Sequence, residues 1–383
     1  MTDNRLRYQV YGAACLAELL GDFVIYRNLT PVDRRLPGIE ALRAEVGIPA
    51  GSVPRKSEPV YARVVVELLR RARCLEGRPS TLRRLIYIGD TRMNDGAAFG
   101  NLCAAGGWDG WAFIGAEQLA VPAHSEIAGR LYLANKWAAL RDFAAFLEAQ
   151  AFQVDAATVV VLDIDKTCIG ARGRNDGAID AARIAGLEHT VAELRDTGFD
   201  AAAFRRAYAT LNQPQYHPFT GDNQDYLAYL CLMIGGGVYA LDPLLARIAS
   251  GALRQWGECI AEVAQNRVAL AGSGLAAIHA AVWERVQAGD PTPFKAFRRN
   301  EYLCTAACFG MPGDSTDVQT LLAQHIVITH EIWEFATACK ARGALVFGLS
   351  DKPDEAALPD VRQAVQGQLP QHRLQTALVG SVQ

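Results

Sequence analysis

The sequence predicts a doubly wound α/β protein, a parallel sheet with helices on both faces, carrying a large helical insertion. Three observations predict it. Short apolar runs ending in polar residues recur at Leu85–Ile88 before Gly89 and Asp90, at Thr158–Leu162 before Asp163, and at Ala344–Leu349 before Ser350. Unbroken apolar runs of this length suit strands buried on both faces, as in a parallel sheet. Helical patterns lie between the runs, and alternation of strand and helix is the signature of the doubly wound class. From about 170 to 330 the strand-like runs give way to long Ala- and Leu-rich segments.

The elements follow in chain order. Val60, Val64, Val65, Leu68 and Leu69 share one helical face; Ser57 reads as the N-cap, with Pro59 in the first turn. Gly110–Gly115 is a weaker strand candidate. Ala134, Trp137, Leu140, Phe143 and Leu147 recur at helical spacing, which predicts a helix over 130–150. Helical segments at 198–211, 224–234, 241–265 and 267–288 are separated by loops rich in Pro, Gly, Asn and Asp. Ile332, Phe335, Ala336 and Cys339 mark a helix before the third strong strand, and Leu374–Val379 is a last, weaker strand. The expected domains are a core over 1–169, a mainly helical insertion over 170–330, and the rest of the core over 331–383.

At roughly 150 residues per domain, 383 residues are two domains, or one core with a large insertion. A net charge of −3 excludes a basic nucleic-acid footprint in the bulk charge. Half the residues are hydrophobic and 21% are charged, which excludes global disorder. No apolar run approaches a membrane span, and residues 1–20 lack the zones of a signal peptide. The nine cysteines are scattered, and Cys304 and Cys308 have no second pair to answer them as a zinc site requires. The expectation is a cytoplasmic protein with reduced thiols and with neither nucleic-acid nor membrane partners.

The chemistry concentrates at strand ends, where open α/β sheets place their ligands. Val159-Val160-Val161-Leu162-Asp163-Ile164-Asp165-Lys166-Thr167 delivers two carboxylates, two positions apart, from a buried strand. Close carboxylates repel unless a cation neutralises them, and Mg²⁺ takes oxygen ligands and pairs with phosphate. Gly89-Asp90-Thr91-Arg92-Met93-Asn94-Asp95 puts a second acidic cluster at another strand end, so Asp90 and Asp95 could complete an oxygen site with Asp163. Ser350 offers a hydroxyl at the third strand end. Lys56, just before a helix, can neutralise a phosphate or a nucleophilic carboxylate.

Together these residues resemble the haloacid dehalogenase-like (HAD) superfamily, whose four motifs are an Asp-x-Asp-x-Thr strand end, a Ser/Thr strand end, a helix-borne Lys and a Gly-Asp…Asp strand end. Asp163/Asp165/Thr167, Ser350, Lys56 and Asp90/Asp95 match them over about half the chain. The order here is third, fourth, first, second, which implies a circularly permuted Rossmannoid core; completion of the site between two chains is the alternative. Closely spaced surface termini make such permutation tolerable. The resemblance implies a Mg²⁺-dependent phosphoric monoester hydrolase acting on a small phosphorylated metabolite. Asp163 is then the nucleophile, Asp165 the acid and base, Thr167 and Ser350 orienting groups, and Lys56 the cation that stabilises the transferring oxygens. The implied metal set is Asp163, the backbone carbonyl of Asp165, Asp90, and either Asp95 or Asn94. A phosphomutase or a catalytically silent binding protein remains the alternative function.

The insertion falls where the family places its C1-type cap. Arg172 and Arg174 follow the catalytic strand so closely that they are the first candidates for substrate contact. Lys166 stands where the family often has Gly, with its head expected away from the metal. His217-Pro218-Phe219-Thr220-Gly221-Asp222-Asn223 and the basic cluster Lys295, Arg298 and Arg299 read as solvated faces or helix caps.

Overall fold

The structure is a computed structural model and describes residues 8–382, apart from 50, 52, 78–79, 193–197, 222, 267–269, 271–273 and 311–316. Asp222 of the polar loop therefore lies outside the described residues. The chain divides into two compact units, Met1–Ala182 with Thr305–Gln383, and Arg183–Cys304.

Among its described residues the first unit holds ten strands: β1 (Tyr8–Ala14), β2 (Val24–Ile25), β3 (Arg84–Gly89), β4 (Asp109–Gly115), β5 (Ser125–Ala128), β6 (Leu131–Ala134), β7 (Thr158–Asp163), β8 (Ile328–Thr329), β9 (Leu345–Leu349) and β10 (Thr376–Ser381). Seven form one sheet in the order β2-β9-β7-β3-β4-β6-β5, parallel except for the β5–β6 pair. The Asp163 strand is thus flanked by the strands that lead to Asp90 and Ser350, as the motif positions require.

Strand periodicity sorts the sheet residues into two cores. Ile86, Ile88, Val160, Leu162 and Val346 face one side with the helices Leu140–Ala149 and His330–Ala341. Leu85, Tyr87, Val159, Val161, Leu345 and Phe347 face the other with the helices Pro59–Leu75 and Asn94–Gly106. Each central strand is therefore apolar on both faces, which is why its sequence runs unbroken. Val64, Val65, Leu68 and Leu69 are buried along the Pro59–Leu75 helix as their spacing predicts. The cap differs: Pro59 is at N1, but the N-cap is Glu58, and the Ser57 carbonyl accepts from Asn101 Nδ2 at 2.8 Å.

In the first unit two further elements differ from their expected form. Residues 130–150 do not form one helix; β6 occupies Leu131–Ala134, a 3₁₀ turn Trp137–Ala139, and only Leu140–Ala149 is α-helical. Trp137, Leu140, Phe143 and Leu147 still bury into one core, so a strand end and a helix together mimic one helical period. β10 joins β1 and β8 in a separate three-stranded sheet, order β1-β10-β8, rather than the main one. That pairing also places 305–330 with the α/β unit, so the second unit is narrower than the expected 170–330 insertion.

Among its described residues the second unit is built of helices joined by loops and contains no strand; its helices include Ala201–Leu211, His217–Thr220, Gln224–Gly235, Leu241–Ala249, Trp256–Gln265, Leu275–Gln287 and most of Lys295–Ala307. The expected 241–265 helix is broken after Ala249, where Gly251 takes φ 74°. Asn223 caps the Gln224–Gly235 helix by accepting from Asp225 N at 2.9 Å. Arg298 is not on a solvated face. It is buried, binding Asp225 at 2.6 Å and Glu301 at 2.7 Å. Lys295 pairs with Asp290 at 3.1 Å, and Arg299 is exposed. All nine cysteines are free thiols. Among the described residues no helix is long and apolar enough to cross a membrane.

Candidate active site

Parallel strands end on the same edge, so β7, β3 and β9 present Asp163, Asp90 and Ser350 together. The turn before the Pro59–Leu75 helix adds Lys56. Its ammonium lies 2.5 Å from Asp163 Oδ1 and 2.7 Å from Asp95 Oδ1, with all three side chains buried. Thr167 Oγ1 donates to Asp163 Oδ2 at 2.7 Å. Thr167 is fully buried, so its hydroxyl serves to position Asp163.

Asp95 braces the loop that follows β3. Its Oδ1 accepts from Lys56 and from Tyr87 OH (3.0 Å); its Oδ2 accepts from Asp90 N, Thr91 N and Thr91 Oγ1 at 3.1, 2.9 and 2.9 Å. A Cβ at residue 89 would meet Asp95 Cβ at 2.6 Å, which explains the glycine before Asp90. Five donors fill about the four lone-pair sites of a carboxylate. Asp95 therefore orients this loop, and Asn94, expected as its substitute, is exposed at the start of the Asn94–Gly106 helix.

Carboxylate oxygens of Asp90, Asp95 and Asp163 lie within 4.8 Å of one another. An all-oxygen, anionic donor set of this kind fits Mg²⁺. Burial and the neighbouring anions Asp163 and Asp95 push Asp90 up to about 8, against the pull of Arg172. Burial pushes Asp163 up to about 7, against the pull of Lys56. Burial acts the same way on Asp95, but there Lys56 and the donated hydrogen bonds win and hold it at about 2. The cluster thus contains one firmly ionised carboxylate and two that gain from an added cation.

Asp165 follows on the turn after β7. Lys352 Nζ lies 3.3 Å from its Oδ1, and Lys352 N donates to Ser350 Oγ at 3.2 Å. Lys352 escaped the sequence reading because only the β7–β9 pairing brings the two segments together. The β2–β9 pairing likewise brings Arg27 to this segment: Arg27 N donates to the Lys352 carbonyl at 3.0 Å and Arg27 Nη1 pairs with Asp351 at 2.6 Å. Lys166, with a left-handed φ of 60°, pairs with Asp180 at 2.9 Å and so points away from the carboxylates.

The two early arginines part company. Arg172 Nε donates to Asp90 Oδ2 at 2.6 Å, inside the cluster. Arg174 lies away from the cluster, in an interior ion network. Its side chain is 0% exposed and pairs with Glu117 at 2.9 Å and Glu331 at 2.8 Å. It also reaches Ser381 Oγ at 3.3 Å and the Tyr8 ring at 4.8 Å, so it ties the small sheet to the unit.

Compared with known proteins, the chain matches no family model, no curated protein and no solved structure.

Proposed function

We propose that this chain is a Mg²⁺-dependent phosphoric monoester hydrolase of the HAD type with a circularly permuted core, acting on a small phosphorylated metabolite. The observation that carries the reading is the meeting of Lys56 with Asp163 across 107 positions, at the edge where Asp90 and Ser350 also emerge. One chain assembles this group, so completion by a second chain is not needed. The permutation is supported by β2, an early strand that lies beside β9, the last strand of the main sheet.

Asp163 Oδ attacks phosphorus while the P–O bond to the leaving group breaks; Asp165 gives the leaving oxygen its proton. Asp165 then takes a proton from water, whose oxygen attacks the aspartyl phosphate, releasing phosphate and restoring the Asp163 carboxylate and the protonated Asp165. Thr167 and Lys56 hold Asp163 in one orientation, and Lys56 counters charge on the transferring oxygens. Lys352 holds Asp165. Bound Mg²⁺ supplies further neutralisation of phosphoryl charge, with Asp163 and Asp90 as its holding carboxylates.

Phosphate release from p-nitrophenyl phosphate tests the reading. Turnover should require Mg²⁺, stop on chelation, and be abolished in Asp163→Asn. Fluoroberyllate should bind the Asp163 carboxylate. Wild-type turnover in Asp163→Asn, in a preparation free of host phosphatases, would reject the mechanism.

A further inference from the structure

Two cations face the three clustered carboxylates, and they differ in freedom. Lys56 is pinned between two carboxylates with a side chain 5% exposed. Arg172 makes its ion pair from the solvent rim, with its side chain 39% exposed above an Asp90 side chain 7% exposed. Its backbone is fixed: Arg172 N donates to the Lys166 carbonyl at 2.8 Å, and the Arg172 carbonyl accepts from Glu117 N at 2.8 Å and Trp137 Nε1 at 3.1 Å. Gly173 locks the same loop, since a Cβ there would lie 2.0 Å from the Glu117 carbonyl oxygen. A long side chain on a fixed root can swing without moving the loop.

Charge then sets the order of events. With all three carboxylates ionised, the state a divalent cation would bind, they leave one negative charge against Lys56 and Arg172. A divalent cation added to that set would make it net positive, so the displaceable cation leaves. A phosphate dianion arriving next restores a deficit of positive charge and draws the guanidinium back, now to phosphate oxygens, which its planar fork suits.

We infer that Arg172 and a divalent cation compete for Asp90, and that the displaced guanidinium becomes a ligand for the substrate phosphate. This inference rests on the proposed metal site. Mn²⁺ binding followed by electron paramagnetic resonance tests it without any turnover, in wild type, Arg172→Met, Arg172→Lys and Asp90→Asn. Arg172→Met should bind Mn²⁺ roughly two- to fivefold more tightly, the range expected for losing a half-exposed ion-paired competitor. The same variant, saturated with Mn²⁺, should bind inorganic phosphate more weakly, and Arg172→Lys should return both affinities toward wild type. Unchanged or weaker Mn²⁺ binding in Arg172→Met, with Asp90→Asn defective, would overturn the competition and leave the metal site standing. No Mn²⁺ binding in wild type or Arg172→Met, or binding indifferent to Asp90→Asn, would overturn the metal site and the competition together. Binding only after removal of Arg172 would support the competition in its strongest form.

Discussion

Replacing Lys56 with Met removes one buried ammonium and leaves two buried carboxylates facing each other. In the structure that ammonium lies 2.5 and 2.7 Å from Asp163 and Asp95. Each attraction amounts to about 6 kcal/mol at an effective dielectric of about 20, offset by the cost of desolvating three charges. Truncating one partner of such a buried group costs about 3–5 kcal/mol, a large part of a typical total of about 5–15 kcal/mol. Amide hydrogen exchange in β7 reads the first unit directly and should accelerate by about two to three and a half decades. The loss should depend on pH with a definite sign. Asp95, depressed to about 2 from 3.8, contributes stability above its unfolded value that fades as pH falls toward 2. Lys56, raised above 10.5, contributes stability until pH rises beyond that value. In wild type Asp95 and Lys56 therefore keep their charges between pH 5 and 8, while Asp163, raised to about 7, takes up a proton toward the acid end of that window. In the variant the two carboxylates relieve their repulsion by binding protons, so the deficit should be largest at pH 8 and shrink toward pH 5. Unchanged exchange at pH 8, or a deficit that grows on acidification, would refute this reasoning.

Asp165→Asn should slow hydrolysis of alkyl phosphates by about 10²–10⁴-fold and spare p-nitrophenyl phosphate more, because an activated leaving group needs no acid; equal losses would remove Asp165 from that role. Arg174→Met should cost about 3–5 kcal/mol in urea unfolding and accelerate exchange in β10 while Mn²⁺ affinity stays at the wild-type level. Full stability with lost Mn²⁺ affinity would return Arg174 to the site.

What the sequence exposes and what it hides have separate physical causes. β3, β7 and β9 are legible because burial on both faces makes them continuously apolar. β2 and β8 span two residues each, too short to leave a period. β5 is an exposed edge strand, with Ile127 54% accessible, and so lacks the apolar run. Asp163, Asp165 and Asp90 are legible because carboxylates at the ends of buried strands are conspicuous. The partners that define their states are not. Lys352 reaches Asp165 across 187 positions, and Tyr87, apparently one more core aromatic, turns its hydroxyl to Asp95. Arg172 and Arg174 stand two positions apart, yet one meets the carboxylate cluster and the other an interior ion network. Sequence proximity to Asp163 could not separate them, because the turn at Gly173 sends them in different directions.

The small sheet sets a timetable for the nascent chain. Among the described residues β1 pairs with β10 alone, and Tyr11 OH donates to the Ser381 carbonyl 370 positions later. At roughly 5–20 residues per second, the ribosome delivers that partner about 20–70 s after β1 emerges. Until then β1 has both edges open, the condition under which strands recruit foreign chains. Its register shift between Val10 and Gly12, with φ 137° at Gly12, bends the waiting strand out of a flat template. The main sheet can assemble as far as β9 while this strand waits, so docking of β1 is among the last acts of folding, and a ribosome stalled before β10 would leave it unsheltered.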